Sequence, residues 1–170
     1  MSSIRLYLDV DGVINVISSY LTGEASTAGG WRDYENVEVD GYRIVYSPSM
    51  IARLRSLSER VEVIFCTTWE ETVSELAPAL GLPVFSHLEL WDHQHGSIFS
   101  KAEAIGIHRR ENPADHVLWA DDHHQGLSLE YKRELLDLAG ESIHLVSPQS
   151  RVGLTVGQVD RMDALVEEWS

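Results

Sequence analysis

The sequence predicts an α/β fold: a three-layer α/β/α sandwich around a mainly parallel, Rossmann-like sheet. Three observations carry this expectation. Short aliphatic runs at Ile4–Leu8, Val61–Cys66, Leu82–Ser86, His116–Ala120 and Ser142–Val146 recur along the chain, separated by helical patterns or helix-start signals. None approaches the roughly 20 apolar residues of a membrane span. A length of 170 residues, 44% hydrophobic and 24% charged, suits one domain with a full core. Strands alternating with helices imply a parallel sheet covered on both faces, with ligands bound beyond the C-terminal strand ends.

The elements follow in order. In IRLYLDVDGVIN (Ile4–Asn15), Ile4, Leu6 and Leu8 alternate with Arg5 and Tyr7, and the strand stops at Asp9-Val10-Asp11-Gly12. Two carboxylates at so apolar a strand end are costly to desolvate without a cation between them. They are either solvated on a loop or hold a metal. Val16–Asp33, rich in Ser, Thr and Gly, reads as loop with a short helical turn around Val16–Leu21. Asp40-Gly41 between alternating runs in Glu35–Ser47 marks a hairpin, so residues 15–47 form a small loop-and-hairpin insert. Ser47-Pro48 caps a helix with Met50, Ile51, Leu54 and Leu57 on its apolar face, ending near Arg60.

Val61–Cys66 is the second strand. Thr67 with Glu70 reads as a capping box opening a helix to about Ala77, stopped by Pro78 and Gly81. Leu82–Ser86 is a third strand and His87–Phe99 an irregular segment. Ser100 with Glu103 reads as a second capping box, opening a helix to about Arg110. The strand His116–Ala120 runs into Asp121-Asp122. Ser128–Ala139 is helical, Gly140 ends it, and Ser142–Val146 is the last strand before a loop at Ser147–Leu154. Thr155 with Gln158 caps a final helix carrying Val159, Met162, Leu165, Val166 and Trp169 at helical spacing. With no repeat, low-complexity tract or linker, residues 1–170 read as a single domain.

The net charge of −14 argues against non-specific nucleic-acid binding. The N-terminus lacks the pattern of a signal peptide, and the single Cys66 cannot form an internal disulfide; both fit a cytoplasmic protein. In a parallel sheet the strand ends face one rim. Asp9, Asp11, Thr67, Asp121 and Asp122 therefore converge there, and Lys101 opens the helix before the fourth strand. Carboxylate oxygens with waters make a hard-cation site suited to Mg²⁺. A hydroxyl, helix N-terminal amides and a lysine suit a phosphoryl dianion.

Simpler roles stand beside these. Thr67 and Thr68 can both be helix caps, and Asp121-Asp122 can cap the next helix. His93 and His95 make a weak His-x-His pattern without further ligands, best read as solvated loop. His123 and His124 line the rim without an assigned role. Cys66 reads as strand filler, and Trp69 as core aromatic or stacking surface.

Asp-x-Asp-Gly, a Thr at the next strand end, Lys, and then Asp-Asp resemble, in that order, the motifs of the haloacid dehalogenase superfamily of phosphohydrolases. The resemblance covers roughly Ile4 to Val146. It implies Asp9 as nucleophile, Asp11 as general acid/base, Thr67 and Lys101 as phosphoryl-binding groups, with Thr68 beside them. It also implies a Mg²⁺ held by Asp9, Asp122 and Asp11 through its backbone carbonyl, with Asp121 in support. The acid at position 11 implies phosphate chemistry: hydrolysis of a phosphomonoester through an aspartyl-phosphate, with a phosphotransferase or a silent metal-binding module as alternatives. Cys66-Thr67-Thr68-Trp69 further resembles the domains associated with Swiss army knife RNA repair proteins. Neither interval between motifs leaves room for a full cap domain, which implies an open site and a phosphorylated substrate that can be macromolecular.

Overall fold

The computed structural model describes residues 2–17, 28–90, 97–140 and 142–170. Most of the helical turn expected around Val16–Leu21, and the His93/His95 pair, lie outside the described residues. The elements run β1 (Ile4–Leu8), β2 (Glu35–Val39), β3 (Tyr42–Tyr46), α1 (Pro48–Ser58), β4 (Glu62–Phe65), α2 (Val73–Leu80) and β5 (Ser86–His87). They continue with α3 (Ile98–Glu111), β6 (His116–Ala120), α4 (Leu129–Ala139), β7 (Ile143–Val146) and α5 (Val156–Trp169).

Among the described residues, five strands form one sheet in the order β5-β4-β1-β6-β7, every neighbouring pair parallel. Alternation along the strands divides the core. Leu6, Leu8, Val63, Phe65, Leu118 and Ala120 pack on one face with the apolar sides of α1, α2 and α5. Tyr7, Ile64, Cys66, Val117 and Trp119 pack on the other with α3 and α4. This is the three-layer α/β/α sandwich expected from the sequence. The chain fills one side of β1 with β4 and β5, then the other with β6 and β7. The C-terminal end of β1 is thus the switch point, where a parallel sheet opens a crevice.

The β2–β3 hairpin is separate from this sheet. Asp40 and Gly41 turn it with φ of 48° and 76°, the left-handed pair that matches the twist of the two strands. Two bonds tie it to the segment after β1. Val16 donates its N–H to Val45 O at 2.8 Å, and the Val45 N–H donates to Asn15 Oδ1 at 2.9 Å.

Four local expectations need correction. No helix starts at a Thr67–Glu70 box: Glu70 takes a positive φ of 44°, a 3₁₀ turn spans Glu70–Thr72, and α2 begins at Val73 without a side-chain cap. Pro78 does not stop α2, because its missing N–H frees only a carbonyl on the exposed side while Leu80 completes the buried stripe Val73, Leu76, Ala77. Leu82 joins no strand, since its N–H closes the C-terminus of α2 on Ala77 O at 2.8 Å; β5 shrinks to two residues. Finally, α3 is capped by Ser97, not Ser100, which brings Ile98 into the core and sets Lys101 one turn into the helix.

Candidate active site

Backbone pairing continues one step past the strands and fixes the rim. Asp9 donates its N–H to Ala120 O (3.0 Å), Cys66 to Leu8 O (2.9 Å) and Asp121 to Val146 O (3.1 Å). Asp9 and Asp121 each follow a residue packed under α1, α2 and α5, so their side chains point to the opposite face, where α3 lies. Lys101 rises from α3 between them. Its Nζ lies 2.6 Å from Asp9 Oδ2 and 2.7 Å from Asp121 Oδ2, and all three side chains are at most 4% exposed.

Burial pushes the Asp9 pKa up to about 6, with Asp121 adding to the rise and Lys101 and the Thr67 hydroxyl opposing it. For Asp121 burial also acts upward, but the hydrogen bond from His123 and the Lys101 charge outweigh it and hold the carboxyl low. Burial alone would lower the pKa of Lys101; the two flanking carboxylates more than reverse this.

Asp122 completes the cluster. Ser150 Oγ donates to its Oδ2 at 2.5 Å, while Oδ1 is buried with no hydrogen-bond partner. Gly12 makes room for this carboxylate: with φ of 73°, a Cβ there would sit 2.3 Å from Asp122 Oδ2. Among the described residues, ligand atoms of Asp9, Asp121, Asp122 and His123 lie within 4.8 Å of one another. When ionised, three buried carboxylates against one ammonium leave two negative charges. Beside the His123 ring, a divalent cation is a group that can balance them, and the Asp122 oxygen without a hydrogen bond gives it a ligand. The donor set fits a metal.

Thr67 is buried at the end of β4, and Thr68 beside it is exposed. The Asp11 carboxylate is not part of the acidic cluster. It turns outward, accepting from Asn15 Nδ2 at 2.7 Å and from Trp69 Nε1 at 2.9 Å. His123 Nδ1 lies 3.1 Å from Asp121 Oδ1 and 3.3 Å from Asp122 Oδ1, whereas His124 is buried edge-on against Trp119. Burial keeps the Cys66 thiol protonated, as suits strand filler. Trp69 does pack partly on the core, yet its ring nitrogen serves Asp11.

Sequence reasoning missed Asn15, Ser150 and the hairpin residues beside Asp11. The rule that ligands gather beyond parallel strand ends would have pointed to Ser150, in the loop after β7. Nothing in the residue pattern marks Asn15. Among the described residues no helix is long and apolar enough to cross a membrane.

In comparisons with known proteins, no curated protein and no solved structure gives a significant match. A family model described as the HAD domain in Swiss Army Knife RNA repair proteins matches residues 5–159, a span from β1 into α5 that takes in all the rim residues. The chain belongs to this family of HAD domains.

Proposed function

We propose that the protein is a Mg²⁺-dependent phosphohydrolase that cleaves a phosphomonoester through an aspartyl-phosphate on Asp9. The observation that carries this is the buried Asp9–Lys101–Asp121 arrangement at the sheet's switch point, with an Asp122 oxygen that accepts no hydrogen bond beside it. Phosphohydrolase-type activity is also what the family suggests. Asp9, Asp122 and the Asp11 backbone carbonyl would hold the metal, with Asp121 anchoring Lys101 behind them. Bound there, Mg²⁺ supplies positive charge that lets an anionic phosphoryl group approach a carboxylate.

The residues then divide the work. Lys101 and the Thr67 hydroxyl offset the charge of the phosphoryl oxygens, with Thr68 at the exposed edge. A carboxylate oxygen of Asp9 attacks phosphorus, and the bond to the leaving oxygen breaks as Asp11 gives that oxygen a proton. Asp11, now a carboxylate, takes a proton from water as the water attacks phosphorus and the Asp9–phosphorus bond breaks. Inorganic phosphate leaves, and both acids return to their starting states. A terminal phosphate on a larger molecule belongs to the same substrate class, and the lone, buried Cys66 suits a cytoplasmic setting.

Phosphate release from p-nitrophenyl phosphate, with Mg²⁺ and with EDTA, tests the proposal. Wild type should turn over only with the metal, and Asp9→Asn should lose at least about a thousandfold in kcat with an unchanged circular dichroism spectrum. Comparable turnover by Asp9→Asn would remove Asp9 as nucleophile.

A further inference from the structure

A cleft of about 340 Å³ opens between the segment after β1, the turn after β4 and the hairpin. Asp11, Thr68, Tyr42, Arg43 and Trp69 are among the residues that line it. Its place assigns it a side of the reaction, an assignment that rests on the phosphohydrolase reading. Because Asp11 is the acid that protonates the leaving oxygen, the group that departs from phosphorus departs into this cleft.

Two of the lining side chains, Tyr42 and Trp69, are aromatic and pack on each other. Tyr42, the first residue after the hairpin turn, is 62% exposed, a large ring held in solvent. Its ring meets that of Trp69 edge-on, with centroids 5.4 Å apart and planes at 64°. The Trp69 ring is oriented by its N–H bond to Asp11, and the hairpin is anchored through Asn15. The two rings make a preorganised corner that can take a flat group with little loss of freedom.

Charge narrows the occupant. Arg43 stands against Asp11 and Asp40 in the cleft lining, and faces Glu38 across the hairpin. An extra anionic group in the leaving alcohol finds no net positive charge here.

We propose that this cleft selects phosphomonoesters whose leaving alcohol carries an uncharged planar ring, such as nucleoside monophosphates, over purely aliphatic ones. Tyr42 is the specificity-determining residue.

Adenosine 5′-monophosphate and ribose 5-phosphate share the phosphate and sugar and differ by one ring, so they form the test pair. Isothermal titration of the inert Asp9→Asn protein with each, in Mg²⁺, should give adenosine monophosphate at least about a tenfold tighter Kd. Adding Tyr42→Ala should bring the two within about twofold, and Tyr42→Phe should keep the preference. Equal affinities, or a preference untouched by Tyr42→Ala, would overturn the inference. Wild-type turnover separates the two levels. Equal kcat/KM for both compounds would leave the phosphohydrolase standing and remove the ring selectivity. Tyr42-dependent binding without phosphate release would remove the leaving-group role along with the hydrolase reading.

Discussion

Lys101 is the residue on which the site's electrostatics turn. Its ammonium touches one oxygen of Asp9 and one of Asp121 in a setting almost closed to solvent. Lys101→Ala leaves two buried carboxylates without their counter-charge, a loss of about 3–5 kcal/mol by the usual cost of breaking a buried pair. Urea denaturation should register that loss, and inhibition by phosphate or vanadate should weaken in parallel. Undiminished inhibition would remove Lys101 from phosphoryl binding. His124 gives a pH signature with a defined sign. Burial lowers its pKa to about 4, so the folded protein keeps it neutral where the unfolded chain, near 6.5, takes a proton. Its contribution is full above about pH 6.5 and is lost as the pH falls toward 4. Against a His124→Leu variant, wild type should lose roughly 2 kcal/mol of relative stability between pH 7 and 5, read by denaturation at each pH. That Asp9, Thr67, Lys101, Asp121 and Asp122 meet at one rim was legible in the sequence because each lies at a strand end or on the helix opposite. Asn15 and Ser150 were not, because their contacts arise from how loops fold back and no periodicity records that.

At the level of elements, capping patterns gave mixed guidance. Thr155 and Gln158 form a reciprocal box, and the buried stripe Val159, Met162, Val166 follows directly. Ser100 and Glu103 show the same spacing, but Ile98 lies before them and buries only if the helix starts earlier. Thr67 is drawn instead to Asp9. A cap pattern therefore marks a helix start only when the apolar face begins at the same point. The α3–α4 contact makes a sharper prediction. A Cβ on Gly106 would lie 2.1 Å from Leu138 O, so these helices meet through a glycine. Gly106→Ala must push them apart and should cost about 1–3 kcal/mol, seen as a lower Tm. An unchanged Tm would mean that α4 is not seated as described. The hairpin was legible from Asp40-Gly41 between its alternating runs, but its place beside Asp11 was not, because the tethers are a loop backbone bond from Val16 and a bond from Val45 N–H to the Asn15 side chain.

For the whole molecule, one parallel sheet with its order reversing at β1 brings distant parts of the chain to one rim. Alternating faces of β1, β4 and β6 feed two cores, so the rim residues stand on a support packed from both sides. The fold class was legible because strand and helix patterns alternate along the entire chain. The central claim is that Asp9, at the switch point, carries the phosphoryl group. Acid quenching during turnover, borohydride reduction and peptide mapping test it directly, since reduction converts an aspartyl-phosphate to homoserine. Homoserine is expected at position 9 in Mg²⁺-loaded, substrate-treated protein and none with EDTA. Phosphate release with Asp9 unmodified, or homoserine at another acid, would contradict it.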